Sequence, residues 1–267
     1  MALTDDAFLH ACLRLHHAYP YDARVARLAI QALQRKGELR RAGELARRMS
    51  ERLLAKGMGT QALGFVEIAR KFLGDSPELD REAEMARLAV GEGGSAEVPH
   101  FELIEALSDE EAAAFLRRGS LVPAQKDEAV VREGERDRVF YLILSGEFDV
   151  MLANEARVGS LHAGEFFGEA ACIYGLPRTA SVVARTEAEL LAFSEEAVQA
   201  LAREFPLAGD YLKRVVDRRL IMTLTYQHPA FAEVPPGDRA WVADEAAIED
   251  WREGETRMLS QMGDALW

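Results

Sequence analysis

A short stretch at 164–184, GEFFGEAACIYGLPRTASVVA, places two residues of opposite charge among small and apolar side chains. Arg178 carries a planar guanidinium that can bind two oxygens of a phosphate at once, which the point charge of a lysine cannot do. Glu169 can accept the hydrogen of a hydroxyl group, but a carboxylate beside a phosphate repels it. Glu169 therefore needs Arg178 nearby for charge balance, and the pair predicts a site that holds opposite ends of one small anionic ligand.

The backbone of this stretch is also suited to an anion. A loop that turns into a helix presents converging N–H groups, to which the helix dipole adds. FGEAACIY is typical of such a helix start, because Gly168 allows close approach and the two alanines add N–H groups without bulk. The predicted ligand-binding residues are Phe167, Gly168, Glu169, Ala170, Ala171, Arg178, Thr179 and Ala180.

Short β-strands are predicted on both sides of this stretch. From Ser120 onward, runs rich in Val, Leu, Ile and Phe are interrupted about every eight to twelve residues by Gly, Asp or Asn, which is typical of an antiparallel barrel or sandwich. A short helix with Ser108 as N-cap and Glu111 three residues later precedes the strands. A long helix follows Pro206. Its predicted apolar stripe consists of Leu207, Tyr211, Leu212, Val215, Val216 and Leu220.

Helices are predicted throughout residues 4–90, where Leu, Ala, Ile and Met recur at three- and four-residue spacing. Breaks at 19–20, at Gly37, at 57–59 and at 75–77 divide this region into helices of about four turns. KGELRRAGELARR resembles a tetratricopeptide hairpin, although the interval is not a clean repeat of about 34 residues. An ordinary helical bundle is therefore the alternative. The Gly-rich segment at 91–98 is predicted to be a linker.

The order of these elements resembles the cyclic nucleotide-binding domain, over about residues 99–226. GEFFGEAACIYGLPRTASVVA is similar to the phosphate-binding cassette of that family along its whole length, and YLILSGEFDV resembles the strand pair that precedes it. The resemblance implies that Arg178 binds the cyclic phosphate and that Glu169 accepts the ribose 2′-OH. A degenerate, ligand-free domain, in which Glu169 and Arg178 pair with each other, also occurs in the family and is the alternative.

The identity of the base is less clearly indicated. A Thr beside the arginine, as Thr179 is here, is associated with cGMP in some eukaryotic members of the family, whereas prokaryotic cAMP receptors also carry Ser or Thr there. We expect cAMP rather than cGMP. Leu220 and Leu224 on the last helix are predicted to cover the base, with simple core packing as the alternative.

Charge is distributed unevenly along a chain whose formal net charge is −13. Residues 1–95 carry 15 basic and 13 acidic side chains, while the remaining residues carry 17 basic and 32 acidic ones. Residues 24–56 hold ten basic and three acidic side chains. A nucleic-acid-binding protein usually carries such basic charge on a recognisable DNA- or RNA-binding motif. We therefore expect this basic region to be a solvated or partner-facing surface, and we expect no nucleic-acid partner.

The N-terminus, the cysteines and the histidines indicate where the protein is located and whether it binds a metal. The acidic N-terminus MALTDDAFLH is unlike a signal peptide, and VFYLIL is far shorter than the ~20 residues of a membrane span. With only Cys12 and Cys172, we expect a cytoplasmic protein without a membrane partner. No metal is expected, since His10, His16 and His17 have no acidic or thiol partner in sequence. No catalytic arrangement stands out, so we expect a non-enzyme whose only small molecule is its ligand.

The predicted fold class is α+β, with an all-α helical-hairpin array at 1–90 and an antiparallel, jelly-roll-like β-roll with flanking helices at 99–226. Residues 227–267 are predicted to be a partial second cyclic nucleotide-binding domain or a C-terminal extension, because AFAEVPPGDRAWVADEA repeats the style of ELIEALSDEEAAAFLRR. The expected function is a receptor that relays nucleotide binding to a protein partner through the helical region. The alternatives are a scaffold with a vestigial nucleotide domain and the regulatory part of a larger protein.

Overall fold

The computed structural model describes residues 2–90, 99–105, 107–153 and 156–246. Five helices lie within residues 2–90, and the breaks between them fall at the predicted positions, so the helical array is confirmed. The predicted linker at 91–98 lies outside the described residues. The helices are α1 (Asp5–Ala18), α2 (Ala23–Arg35), α3 (Leu39–Ala55), α4 (Gly59–Leu73) and α5 (Pro77–Val90).

Each helix of the array packs on the next one along the chain. The connections are only a few residues long, and such short connections place neighbouring helices antiparallel. Their apolar faces are buried in one continuous cluster, to which every helix contributes at least one fully buried side chain. The resemblance to tetratricopeptide hairpins stays a prediction. Examples of the buried side chains are Leu15, Leu28, Met49, Phe65 and Leu79.

The strands form two four-stranded antiparallel sheets, which confirms the predicted β-roll. The strands are β1 (Ser120–Ala124), β2 (Ala129–Val131), β3 (Val139–Ser145), β4 (Glu147–Met151), β5 (Arg157–His162), β6 (Phe166–Phe167), β7 (Ser181–Ala184) and β8 (Ala188–Ser194). In the first sheet the order is β1-β8-β3-β6, and in the second it is β2-β7-β4-β5. Strands β6 and β7, which flank the predicted ligand stretch, therefore belong to different sheets.

Strand β3 shows how the array and the β-roll come to share a core. Successive side chains of a strand point to opposite faces of its sheet. Phe140 and Leu142 pack into the cluster that contains the array, whereas Ile143 packs into a second cluster between the two sheets. The first sheet is therefore covered by helices on one face and by the second sheet on the other. This double burial explains why the β3 sequence FYLIL is apolar without interruption.

In the part of the chain that the structure describes, four helices flank the β-roll. The first begins at Ser108 with the predicted capping box, in which the Ser108 hydroxyl accepts the Glu111 N–H and the Glu111 carboxylate accepts the Ser108 N–H. A six-residue helix lies between β6 and β7, where the ligand stretch was expected to turn helical. The four helices are α6 (Asp109–Arg117), α7 (Glu169–Tyr174), α8 (Glu195–Glu204) and α9 (Pro206–Gln227).

Four residues of the predicted apolar stripe of α9 contribute to the core: Leu212 and Val216 are buried, and Tyr211 and Val215 pack against the core cluster. Ala208, Leu212 and Val216 are buried and follow one another at four-residue spacing, so they define the face that packs on the core. Leu207 is 70% exposed, and its place in the stripe is therefore wrong. It lies about 100° from Ala208 around the helix, which turns it away from that face.

The chain divides into two compact units, at 1–216 and 217–267. In the described part of the second unit, a turn at Pro229–Phe231 precedes α10 (Pro236–Glu245), in the same order as Glu102–Ile104 precedes α6. Arg239 joins these pieces, because its Nε donates to the Val234 carbonyl at 3.0 Å and its Nη2 donates to the Phe231 carbonyl at 3.1 Å. A second nucleotide-binding domain stays a prediction, since 247–267 lie outside the described residues.

Candidate functional site

The residues predicted to bind an anion follow β6, whose pairing with Tyr141 and Leu142 of β3 fixes their position. Gly168 comes next, with a φ of 85° that favours glycine. A Cβ atom on Gly168 would lie 2.4 Å from the Val139 carbonyl oxygen and 2.5 Å from Nη1 of Arg178. The turn into α7 therefore needs glycine for its conformation and also for the space that the arginine occupies.

Arg178 lies in the loop between α7 and β7, and its side chain is 3% exposed. Its Nε donates to Oδ1 of Asp137 at 2.9 Å, and its Nη2 donates to Oδ2 of the same carboxylate. Nη2 also donates to the Val139 carbonyl at 2.8 Å, and Nη1 donates to the Gly168 carbonyl at 3.2 Å. A carboxylate and two backbone carbonyls thus stabilise the buried charge and fix the plane of the guanidinium.

Asp137, which pairs with Arg178, is absent from the residues predicted from sequence. It lies between β2 and β3, 41 residues before Arg178, and its side chain is 41% exposed. The charged run ERDR at 135–138 directly precedes β3, the strand on which β6 and the ligand stretch are aligned. That adjacency is the signal that could have identified Asp137, although it does not distinguish Asp137 from the neighbouring Glu135.

Glu169 is the first residue of α7 and is 4% exposed. The pKa of the fully buried Cys172 thiol is raised to about 12, mainly by burial; Arg178 opposes the rise, and Glu195, Glu169 and Asp137 add to it. Glu169 directly follows Gly168, whose carbonyl accepts from Arg178, and Arg178 also binds Asp137, so the three charged residues lie close together. The structure brings together the two charges that the sequence predicts and adds a third.

The remaining predicted residues differ in what they present to the surface. The Phe167 side chain belongs to the core between the sheets, where its ring stacks on Tyr141 with centroids 5.0 Å apart. The Ala171 side chain is also buried. These two residues can reach a ligand only through their backbone. The half-buried members of the predicted set are Ala170, Thr179 and Ala180.

The two leucines predicted to cover a base lie at the end of α9, in the second unit. Leu224 is 45% exposed and Leu220 is half-buried, so Leu224 is not simply a core residue. Their role against a base stays a prediction.

Within the described ranges, no group of three or more His, Cys, Asp or Glu side chains is placed to hold a metal ion. Two of the histidines considered from sequence have other partners: Nε2 of His10 lies 2.9 Å from Glu189, and Nε2 of the buried His16 lies 3.3 Å from Nη1 of Arg52. Each helix in the described part of the chain is too short or too polar to cross a lipid bilayer.

The chain is similar to several curated proteins over part of its length. It is 28% identical to a cGMP-dependent protein kinase of Eimeria tenella over 130 residues, which are 48% of this chain and 12% of that one. It is 39% identical to a cAMP-dependent protein kinase regulatory subunit of Yarrowia lipolytica over 74 residues, which are 27% of this chain and 20% of that one. The chain thus spans a fifth or less of the length of both relatives.

One solved structure and one family model also match part of the chain. The catabolite activator protein of Thermus thermophilus matches with 29% identity and a TM-score of 0.41, over 45% of this chain and 58% of that one. The model of the cyclic nucleotide-binding domain matches residues 121–205, which include both sheets, Asp137, Glu169 and Arg178. This family match confirms the predicted domain, and residues 121–205 are therefore a cyclic nucleotide-binding domain.

Proposed function

We propose that this chain is a non-enzymatic, cytosolic receptor for a 3′,5′-cyclic nucleotide, in which Arg178 binds the phosphate and Glu169 accepts the ribose 2′-OH. The family match over 121–205 supports this class of ligand. The two charged residues predicted to bind the ligand, Glu169 and Arg178, are both buried. A buried charge is costly unless it is paired, so Arg178 needs a counter-ion whether or not a ligand is bound.

The observation that carries the proposal is the nature of that counter-ion. Asp137 offers two carboxylate oxygens to Nε and Nη2 of Arg178 from a loop, and it is 41% exposed while the arginine is buried. A cyclic phosphate also presents two oxygens to one edge of a guanidinium. Ligand binding would exchange one two-oxygen counter-ion for another, and no buried charge would be left unpaired.

The comparisons with known proteins do not decide which base is bound. One curated relative is named for cGMP and the other for cAMP, so the relatives support a cyclic nucleotide without favouring either base. We favour cAMP and propose that the hydroxyl of Thr179, the neighbour of Arg178, serves the phosphate.

The role of Thr179 is tested by the substitution Thr179→Ala. If its hydroxyl serves the phosphate, the variant loses about 1 kcal/mol of binding free energy for cAMP and cGMP alike, as for one neutral hydrogen bond. Calorimetric titration with each nucleotide measures both losses. A loss confined to cGMP would place the hydroxyl against the guanine amino group and would remove the argument for cAMP.

Binding is proposed to act on a protein partner through a shift in population between two conformations. Two contacts of the first unit connect α9 to the core and to the strand before the site, and α9 is the element that we propose to move. Its residues Ala208 and Leu212 are buried in the core cluster, and the Tyr211 ring meets the Phe166 ring of β6 edge-on with centroids 6.1 Å apart. The helical array supplies a separate surface for the partner.

One observation favours the alternative, a scaffold with a vestigial nucleotide domain. Arg178 is already satisfied by Asp137 and by the Val139 and Gly168 carbonyls, so its buried charge needs no ligand. The two functions predict opposite results in a binding experiment.

Calorimetric titration of the full chain with cAMP, cGMP and their 2′-deoxy forms separates them. The receptor function predicts binding of both ribonucleotides, with the 2′-deoxy forms weaker by about 1.5 to 3 kcal/mol, because each lacks a hydrogen bond to a charged group. In Glu169→Gln this difference should shrink, since the acceptor is no longer charged. Absence of binding to every nucleotide would reject the receptor function and leave the scaffold.

A further inference from the structure

The helical array makes direct contact with the turn that leads into the nucleotide site. Tyr19 is the C-cap of α1, and its hydroxyl donates to the Gly164 carbonyl at 3.1 Å, across 145 residues of chain. The Tyr19 ring stacks on Phe101, with centroids 5.5 Å apart. A Cβ atom on Gly164 would lie 2.5 Å from the Tyr19 ring. Gly164 is therefore closely covered by a residue of the array.

A short segment that is hydrogen-bonded to β3 separates Gly164 from the site. Its N–H donates to the Ile143 carbonyl at 2.8 Å, and the Ile143 N–H donates to the Glu165 carbonyl at 2.8 Å, so the turn is bonded to β3. Strand β6 follows at once, and then Gly168, whose carbonyl accepts from Arg178, and Glu169. Only residues 165–167 separate Gly164 from Gly168, so the position of the Gly164 turn bears directly on the position of these residues.

Tyr19 is itself fixed within a rigid frame. Asp22, three residues later, is buried and accepts the Arg24 and Val25 N–H groups through Oδ1, which caps α2. Its Oδ2 accepts the Phe101 N–H at 2.8 Å, which ties the ring partner of Tyr19 to the same turn. The α1–α2 turn, Phe101 and Tyr19 thus form one bonded assembly against which Gly164 rests.

Helix α9 contacts β6, the strand that follows the Gly164 turn. Tyr211 contacts Phe166 of β6, two residues after Gly164. The pKa of the Tyr19 hydroxyl is raised mainly by burial, and the nearby Tyr211 is the second cause. The start of the ligand stretch is therefore held between the array and α9.

We propose that Tyr19 is a positioning residue for the nucleotide site: through its hydrogen bond to the Gly164 carbonyl, the helical array holds the ligand stretch in its binding-competent place. The inference rests on the proposed function. Because coupling between two sites is reciprocal, nucleotide binding must in turn stabilise the α1–α2 turn. The array is then both the surface for a partner and an element that senses the ligand.

The test is the substitution Tyr19→Phe, which removes the hydroxyl and keeps the ring. Titration of the full chain with cAMP should show affinity weakened by about three- to tenfold, which is the range for one neutral hydrogen bond. Tyr21→Phe is the matched control, because it makes the same change two residues away, where the ring contacts Lys56. It should bind like the unmodified chain. A merely structural role of Tyr19 would lower the melting temperature and leave the affinity unchanged.

Hydrogen exchange of the unmodified chain gives a second readout that does not depend on the folding of a variant. The amides of Tyr19 and Asp22, which donate within the α1–α2 turn, should exchange more slowly when cAMP is bound. Unchanged or tighter binding by Tyr19→Phe, or unchanged exchange at these amides, would overturn the inference while the receptor function stands. If the unmodified chain binds neither cAMP nor cGMP, the receptor function and the inference both fail.

Discussion

At the scale of single residues, the account rests on a buried arginine with a replaceable counter-ion. Arg178 keeps its charge because Asp137 and two carbonyls surround it, and removing one partner of such a pair leaves a buried charge uncompensated. Asp137 is partly exposed, so solvent screens the pair and reduces its contribution to stability. In the proposed receptor, Asp137 therefore holds Arg178 in place in the absence of ligand and would compete with the ligand for it.

Asp137→Ala separates these two effects. We expect the free protein to lose about 1 to 3 kcal/mol of unfolding free energy, because Arg178 loses a charged partner. We expect cAMP to bind more tightly by about 1 kcal/mol or more, since no carboxylate has to be displaced. Glu135→Ala is the control from the same loop, because the Glu135 carboxylate accepts the Arg132 N–H instead. Weaker binding of cAMP by Asp137→Ala would show that Asp137 supports the ligand and does not compete with it.

The sequence predicted Glu169 and Arg178 but not Asp137, and the reason is physical. Glu169 and Arg178 stand in a contiguous stretch where charge is rare, whereas Asp137 is one of four charged residues in the run at 135–138. Which of them faces the arginine depends on the β3–β6 register and on the loop conformation. Tyr19 was missed for a similar reason, since its partner Gly164 lies 145 residues away and offers only a carbonyl.

At the scale of elements, glycine turns decide where the charged groups can lie. Gly168→Ala should lower the unfolding free energy and weaken cAMP binding, because the new methyl group meets Val139 and Arg178. Gly134→Ala is a close control: its φ is also 85°, but nothing lies within 4 Å of its Cβ position. Both variants carry the backbone strain of about 1 kcal/mol or more. Only Gly168→Ala should lose affinity in a titration, and equal losses in both would contradict the close-approach argument.

The unfolding free energy of the chain depends on pH through His16 in the helical array. The pKa of His16 is lowered to about 4, mainly by burial and then by Arg52 and Arg48, while Asp22 opposes the shift. The unfolded chain binds this proton near pH 6.5, so the stability from neutral His16 is present above that pH and is lost as the pH falls toward 4. Between pH 7 and 4.5, denaturant unfolding should show about 2 to 3 kcal/mol more loss in the unmodified chain than in His16→Gln.

The exposed His17 provides the control for that comparison. His17→Gln should retain the pH dependence of the unmodified chain. If His16→Gln loses as much stability on acidification as the unmodified chain, the pH dependence has another source.

Element boundaries could be predicted from the sequence because local signals fix them. Gly37 and the breaks at 57–59 and 75–77 interrupt a helical pattern, and the observed helices end there. The face that a helix end presents depends on its neighbours instead. Leu207 was therefore predicted in the α9 stripe although the structure exposes it.

At the scale of the whole molecule, the array and the β-roll share one core, because β3 contributes alternate side chains to the array cluster and to the space between the sheets. Contacts between polar groups support the same arrangement. Arg27 pairs with Asp109 of α6 at 2.7 Å, and Glu189 of β8 lies 3.1 Å from Nε of Arg14. The array is thus part of the first compact unit, which gives a ligand-dependent change a route to its surface.

The second unit has a fluorescence signal of its own. All three tryptophans lie in it, at Trp241, Trp251 and Trp267, and Trp241 is 66% exposed. We expect red-shifted intrinsic emission that barely changes when cyclic nucleotide is added. A blue-shifted spectrum with a sharp unfolding transition would show these tryptophans packed in a structural core and would contradict the expectation.

The measurement that tests the central claim most directly is the affinity of Arg178→Ala for cAMP, compared with Arg185→Ala. The two arginines lie on either side of β7. Arg178 is buried in the site, whereas the Arg185 side chain is 47% exposed and contacts Glu147 and Asp149. The account predicts a loss of about 2 to 5 kcal/mol of binding free energy for Arg178→Ala and almost none for Arg185→Ala. Binding of cAMP by Arg178→Ala with the affinity of the unmodified chain would contradict the account.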